Sequence, residues 1–248
     1  MLPILSYMGH ITYSLPTALV SNNLEYGKFN LLDTTDYITG VFPVWKELGF
    51  RFVATGFISS ERQARIISAY CQEQEKLGTP IFVDPIMGDE GKLYNGVTPS
   101  TIQSMEEMIA CADLIYPNYT EACYLTGTQY DPEGVDRETA FQLLDNLHAH
   151  GAKSVLITSI TVDGQHSVAG FNHMTGEHFL LGYTEIPVRF PGTGDIFSAV
   201  LIGHLLDGME LKPSVRKAMD AVYTLIDRNK DNKDKYAGIP VESYLYIL

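Results

Sequence analysis

The chain has 248 residues, 45% hydrophobic and 19% charged, enough to bury a sizeable core as one large domain and too apolar for disorder. Thirty acidic residues against 17 basic ones leave a net charge of −13, which argues against a nucleic-acid backbone or an anionic membrane surface as partner. Three cysteines without a C-x-x-C pair, no basic signal region and no long apolar run lead us to expect a reduced, cytoplasmic protein.

In chain order, compact apolar runs predict strands over Ile11–Val20, Phe50–Thr55, Pro80–Val83, Asp113–Tyr116 and Ser154–Thr158. Helical periodicity fills the intervals over Asp36–Leu48, Ser60–Leu77, Thr101–Ala110, Thr120–Leu125 and Arg137–His150. Asp136 reads as an N-cap and Gly151 as a stop for the last of these. Such alternation implies an α/β fold, a mostly parallel sheet with helices on both faces. After Ser159 the pattern changes. Ser167–Phe171 and His178–Tyr183, joined through Asn172–Gly176, predict an antiparallel hairpin at the sheet edge. Helices follow over Gly194–Leu206 and Lys212–Arg228, and the charged stretch Asn229–Lys235 reads as a solvated loop. With no repeat and no break in composition, residues 1–248 are expected to form a single domain.

Several catalytic signatures are missing: a Walker A loop, G-x-S-x-G, H-E-x-x-H and G-x-G-x-x-G. The informative segment is Gly192-Thr193-Gly194-Asp195, which opens an apolar helix. Glycines on both sides of a threonine let backbone N–H groups converge at the positive end of the helix dipole, a seat for an anion. A carboxylate just beyond such a seat makes sense if it removes a proton from an alcohol while the amides stabilise phosphoryl charge. A glycine turn with Asp195 as an ordinary N-cap is the competing reading.

Two further segments weigh on the choice. Asp84 stands at the carboxyl end of a buried strand, in Asp84-Pro85-Ile86-Met87-Gly88-Asp89. Asn118 and Glu121 do the same one strand later, in Pro117-Asn118-Tyr119-Thr120-Glu121-Ala122. Three residues apart across a strand-to-helix turn, an amide and a carboxylate can face one site, and the carboxylate can hold a magnesium shell through water. All three segments are expected at one sheet edge, where open α/β sheets bind ligands.

Together these stretches resemble the ribokinase-like superfamily, and within it the pyridoxal/pyridoxamine kinases. The match rests on Asp84–Tyr94, Pro117–Ala122 and Gly192–Ala199, with weaker support from Leu15–Ala18 and Thr55-Gly56-Phe57. The resemblance implies ATP-dependent phosphorylation of the 5′-hydroxymethyl group of a vitamin B6 vitamer, with magnesium. By it, Asp195 would be the base and Gly192, Thr193 and Gly194 the anion hole. Asp84, Tyr94, Asn118, Thr158 and Ser159 would serve the nucleotide, with Glu121 on the metal through water. Val20, Asn23 and Phe57 would face the vitamer. Members of the group are commonly homodimers, so a homodimer is expected.

The departures fall on the vitamer side. The family's usual first strand is expected to be absent, since the chain opens on Met1-Leu2-Pro3-Ile4-Leu5, which reads as a helix. Where the family commonly shows S-x-H-T-G, this chain has Ser21-Asn22-Asn23-Leu24-Glu25. A hydroxymethylpyrimidine kinase and a catalytically impaired nucleotide-binding module remain as alternatives. Weakened vitamer contacts also predict that this chain binds nucleotide better than it processes vitamin B6.

Overall fold

The computed structural model describes residues 1–22, 28–94, 97–234, 236 and 238–248, so Asn23 and Leu24 lie outside the described residues. Contacts gather the chain into two compact units, Asp33–Gly182 and the pair of segments Met1–Leu32 and Tyr183–Leu248.

The first unit is built on a six-stranded sheet. In chain order its strands are β3 (Val53–Thr55), β4 (Ile81–Val83), β7 (Leu114–Ile115), β8 (Ser154–Val162), β9 (Gln165–Asn172) and β10 (Glu177–Gly182). Across the sheet they run β10-β9-β8-β7-β4-β3. The four from β3 to β8 pair in parallel, while β9 and β10 add an antiparallel edge. Ile81, Phe82 and Val83 are all buried, which explains why β4 reads as an unbroken apolar run. In the hairpin, Gly170 faces Phe179, whose ring occupies the space a Cβ would take.

The helices of this unit are α2 (Thr35–Trp45), α3 (Glu61–Lys76), α4 (Pro99–Ile109), α5 (Tyr119–Thr126) and α6 (Arg137–Ala149). Asp136 caps α6 by accepting from the Thr139 amide at 2.8 Å, and Gly151, at φ +113°, follows its end as anticipated. Leu143, Leu144 and Leu147 form the buried stripe of α6, which packs against β8, where Val155, Leu156 and Ile157 are buried on the two faces of the sheet.

Among the described residues, the second unit holds α1 (Leu2–Tyr7), α7 (Thr193–Leu206), α8 (Leu211–Asn229) and the 3-10 turns Val241–Ser243 and Leu245–Ile247. Every residue of α7 from Ile196 to Gly203 is buried. Gly203 gives α1 its seat, because the Met8 thioether occupies the place of a Cβ. A separate two-stranded sheet joins β1 (Ala18–Val20) to β2 (Leu31–Asp33). Among the described residues no helix is long and apolar enough to cross a membrane.

Three strand expectations need correction. Ile11–Val20 is strand only from Ala18, because Pro16 lacks a ladder donor. Phe50–Thr55 pairs only over Val53–Thr55, opposite the three residues of β4. β8 continues past Thr158 to Val162, since the ladder to β9 is broken by a bulge between Ile157 and Ile160 and then resumes. Two short strands not anticipated, β5 (Gly88–Asp89) and β6 (Lys92–Leu93), form a hairpin of their own.

Candidate functional site

Asp84 and Asn118 follow the carboxyl ends of β4 and β7, which are adjacent and parallel. Asp84 is half-buried, its amide bonded to the Thr55 carbonyl oxygen at 3.2 Å. Asn118 caps α5: its Oδ1 accepts from the Glu121 amide at 3.0 Å, while Glu121 Oε2 accepts from the Asn118 amide at 2.8 Å. Asn118 Nδ2 also donates to the Gly88 carbonyl at 2.8 Å.

Glu121 does more than cap. Its Oε1 accepts the Met87 amide at 2.9 Å and the Gly88 amide at 3.5 Å, so both carboxylate oxygens are engaged. Only 3% of the residue is exposed. Burial pushes its carboxyl up to about 7, against the pull of the Met87, Asn118 and Gly88 amides and with a smaller push from Asp89.

The segment held this way is the β5–β6 hairpin. Its turn residues Glu90 and Gly91 stand at φ +51° and +75°, the signs of a type I′ connection. The Gly91 amide donates to Thr120 Oγ1 at 2.9 Å and its carbonyl accepts from Tyr124 Oη at 3.4 Å. The Tyr130 ring lies against Gly91; a Cβ there would stand 2.7 Å from the ring edge. Tyr130 packs in turn on Tyr119, with ring centroids 5.0 Å apart. Tyr94, just past the hairpin, is exposed, and its amide bonds to the Met87 carbonyl at 2.9 Å. Sequence reasoning assigned Asp84, Tyr94, Asn118 and Glu121 but missed Thr120, Tyr124 and Tyr130 as the hairpin's supports. The glycines Gly88 and Gly91 around an acidic pair were the available signal.

Thr158 and Ser159 occupy the bulge of β8. The Thr158 amide bonds to the Pro117 carbonyl at 2.9 Å, which sets it beside Asn118. Ser159 is exposed and held at φ +54°, the left-handed region that a non-glycine residue rarely adopts. Bulges of this kind re-aim side chains at the end of a ladder. On the same sheet edge, Phe57 follows β3 and is 37% exposed.

In the other unit, Gly192 precedes α7 at φ +82°, and among the described residues no side chain caps that helix. The Ile196 amide reaches back to the Gly192 carbonyl at 3.1 Å, and the amides of Thr193, Gly194 and Asp195 have no acceptor among the described residues. Among the described residues, apart from the adjoining chain, nothing lies within 4 Å of the places where Cβ atoms would stand at Gly192 and Gly194. Asp195 is exposed in the first turn. This is an open, amide-lined seat of positive potential with a carboxylate at its rim, fit for an anionic group reacting with an alcohol. Its connection is unlike the other two: α7 follows the antiparallel strand β10 through ten residues of irregular chain. Val20, the last residue of β1, is exposed.

The chain matches the phosphomethylpyrimidine kinase family over residues 4–239. It is similar to the pyridoxal kinase of Arabidopsis thaliana, with 33% identity over 171 residues, 66% of this chain and 53% of that protein. The match thus spans about half the length of that relative. A Bacteroides thetaiotaomicron protein assigned as a phosphomethylpyrimidine kinase and crystallised with pyridoxal superposes with a TM-score of 0.92 at 32% identity, over 99% of this chain and 87% of that one. Pyridoxal kinase from Lactobacillus plantarum superposes with a TM-score of 0.87 at 27% identity, over 99% and 88%.

Proposed function

This chain belongs to the phosphomethylpyrimidine kinase family, and from that premise we propose that it transfers the terminal phosphoryl group of ATP to the 5′-hydroxymethyl group of pyridoxal, pyridoxamine or pyridoxine. The observation that carries this reading is the open amide seat at Gly192, Thr193 and Gly194 with the Asp195 carboxylate one residue beyond it. The pyridoxal bound to the Bacteroides protein supports the choice of vitamer.

Asp195 takes the proton of the hydroxyl as that oxygen bonds to phosphorus and the bond from phosphorus to the departing ADP oxygen breaks. The amides of the seat meet the charge on the phosphoryl oxygens and need no reorganisation to do so. Asp84, Tyr94, Asn118, Thr158 and Ser159 are assigned to the nucleotide, and Val20, Asn23 and Phe57 to the vitamer. Magnesium, when bound with the nucleotide, supplies charge neutralisation at the phosphates. Both oxygens of buried Glu121 already accept amides, so its link to the ion runs through water. We further assign the protein to the cytoplasm, where its three buried free thiols stay reduced, and to a homodimer. Tyr37 and Val44 of α2 are exposed, apolar surface that association could cover.

The deciding experiment is phosphate transfer from magnesium-ATP to each vitamer and to hydroxymethylpyrimidine, side by side. Preference for a vitamer is the expected result. Preference for the pyrimidine would establish the second reading, which the family description and the assignment of the Bacteroides protein favour. Nucleotide binding without any transfer would make the chain a binding module.

A further inference from the structure

Asp33, the last residue of β2, takes no part in the chemistry above, yet it anchors a polar network behind the loop that carries Phe57. Asp33 Oδ1 accepts the Thr35 amide at 2.7 Å and the Thr35 hydroxyl, and Oδ2 accepts from Ser59 Oγ at 3.0 Å. From the other side, Gln63, fully buried in α3, accepts the Ser59 amide at 3.0 Å on Oε1, which also lies 3.2 Å from Ser59 Oγ. Its Nε2 donates to Thr35 Oγ1 at 3.3 Å, closing the ring of bonds. Ser60, beside it, caps α3 by accepting the Gln63 amide at 3.4 Å.

The arrangement has a physical logic. Thr34 gives α2 no side-chain cap, so Asp33 serves that helix end instead, while Ser60 serves the start of α3. The carboxylate meets the positive ends of two helices, and its bonds to Thr35, with smaller help from Ser59 and Ser60, hold it below the usual carboxylate range. A charge-assisted bond to Ser59 is stronger than a neutral one. Ser59 is therefore gripped at both its amide and its hydroxyl, two residues after Phe57 and four after the end of β3. A loop held at that point has few conformations left for Phe57.

We infer that Asp33 is a positioning residue for the vitamer: acting with Gln63 through Ser59, it presets the loop from Gly56 to Ser60 so that Phe57 stands ready before substrate arrives. This deepens the kinase reading and rests on it for the identity of the ligand, but not for the state of the loop.

The test is a double-mutant cycle of Ser59→Ala and Asp33→Ala, read by separate KM values for pyridoxal and ATP. Ser59→Ala should raise the pyridoxal KM about 5-fold, the worth of one hydrogen bond, and leave the ATP KM unchanged. Asp33→Ala should raise it at least as much, and adding it to Ser59→Ala should add less than about 2-fold, since both remove one link. Amide hydrogen exchange on the same variants reports the loop whatever the substrate: the amides of Phe57 to Ser60 should exchange about 10-fold faster while those within α3 stay protected. Effects that simply multiply, or an ATP KM that rises in step, would overturn the proposal. Unchanged loop exchange in Ser59→Ala would overturn it as well. Faster loop exchange with no vitamer turnover in the unmodified chain would instead fault the kinase reading and keep the latch.

Discussion

Glu121 Oε1 and the Met87 amide meet at 2.9 Å across 34 residues of sequence, joining the start of α5 to the chain entering the β5–β6 hairpin. The same carboxylate accepts the amides of Gly88 and Asn118, so one buried side chain holds together two strand ends that we place on the nucleotide side. The cost is desolvation, which lifts its carboxyl to about 7.

That shift has a defined sign. Above an unfolded value near 4.5 the unfolded chain releases the proton first, so stability contributed by protonated Glu121 is full at acid pH and is lost as pH rises through about 7. Glu121→Gln cannot ionise; its NH2 meets a backbone N–H where the carboxylate offered an acceptor, a cost that does not vary with pH, so relative to the parent it should gain roughly 3 kcal/mol between pH 4 and pH 8. Urea denaturation of both proteins across that range measures the difference. A constant difference would mean that Glu121 ionises as an ordinary carboxylate.

Asp195→Asn preserves shape and removes the proton acceptor. Turnover should fall about 10²–10⁴-fold. Nucleotide affinity should hold or improve slightly, because a negative charge near the phosphates is gone. Near-normal turnover, measured in single-turnover assays where chemistry limits the rate, would remove Asp195 from the mechanism.

Gly91 needs both its left-handed φ of +75° and the space that the Tyr130 ring denies a methyl group. Gly91→Ala should cost about 2–4 kcal/mol, part strain and part clash. Combined with Tyr130→Ala, the same change should cost only about 1 kcal/mol, the backbone share. Thermal unfolding of the four proteins in this cycle gives the answer, and equal costs in both backgrounds would mean the hairpin yields to the clash.

Ser159 separates stability from function. Glycine accepts φ +54° without the left-handed penalty, so Ser159→Gly should gain up to about 1 kcal/mol in stability. If the hydroxyl serves the nucleotide, affinity for ATP should fall about 5-fold in the same variant. Calorimetry of ATP binding checks the second half; unchanged affinity would leave Ser159 as a bulge residue only.

The α/β order, the antiparallel edge pair, the α6 cap at Asp136 and the three motif segments were legible because each is a local pattern. Strand and helix periods repeat within a few residues, and a cap or a glycine seat is complete within four. The glycines around Thr193 and the acid beside them stand out as a local pattern, though the two strand-end segments were needed to weigh it against a helix cap. What distance in sequence conceals is which partner a polar group finds. Nothing near Glu121 announces Met87, and nothing near Gly91 announces Thr120 or Tyr130; hydrogen bonds and ring contacts across some 30 to 40 residues exist only once the strands have paired. The bulge at Thr158 and Ser159 was hidden for the same reason, since it depends on the register of β8 against β9. The sequence by itself determined the order of elements and carried the motif segments by which the chain resembles its family, because local patterns and short spacings are complete without the fold. Tertiary structure alone decided that Glu121 is a buried clasp and Asp33 a latch, because burial and bonding partners belong to the packed chain.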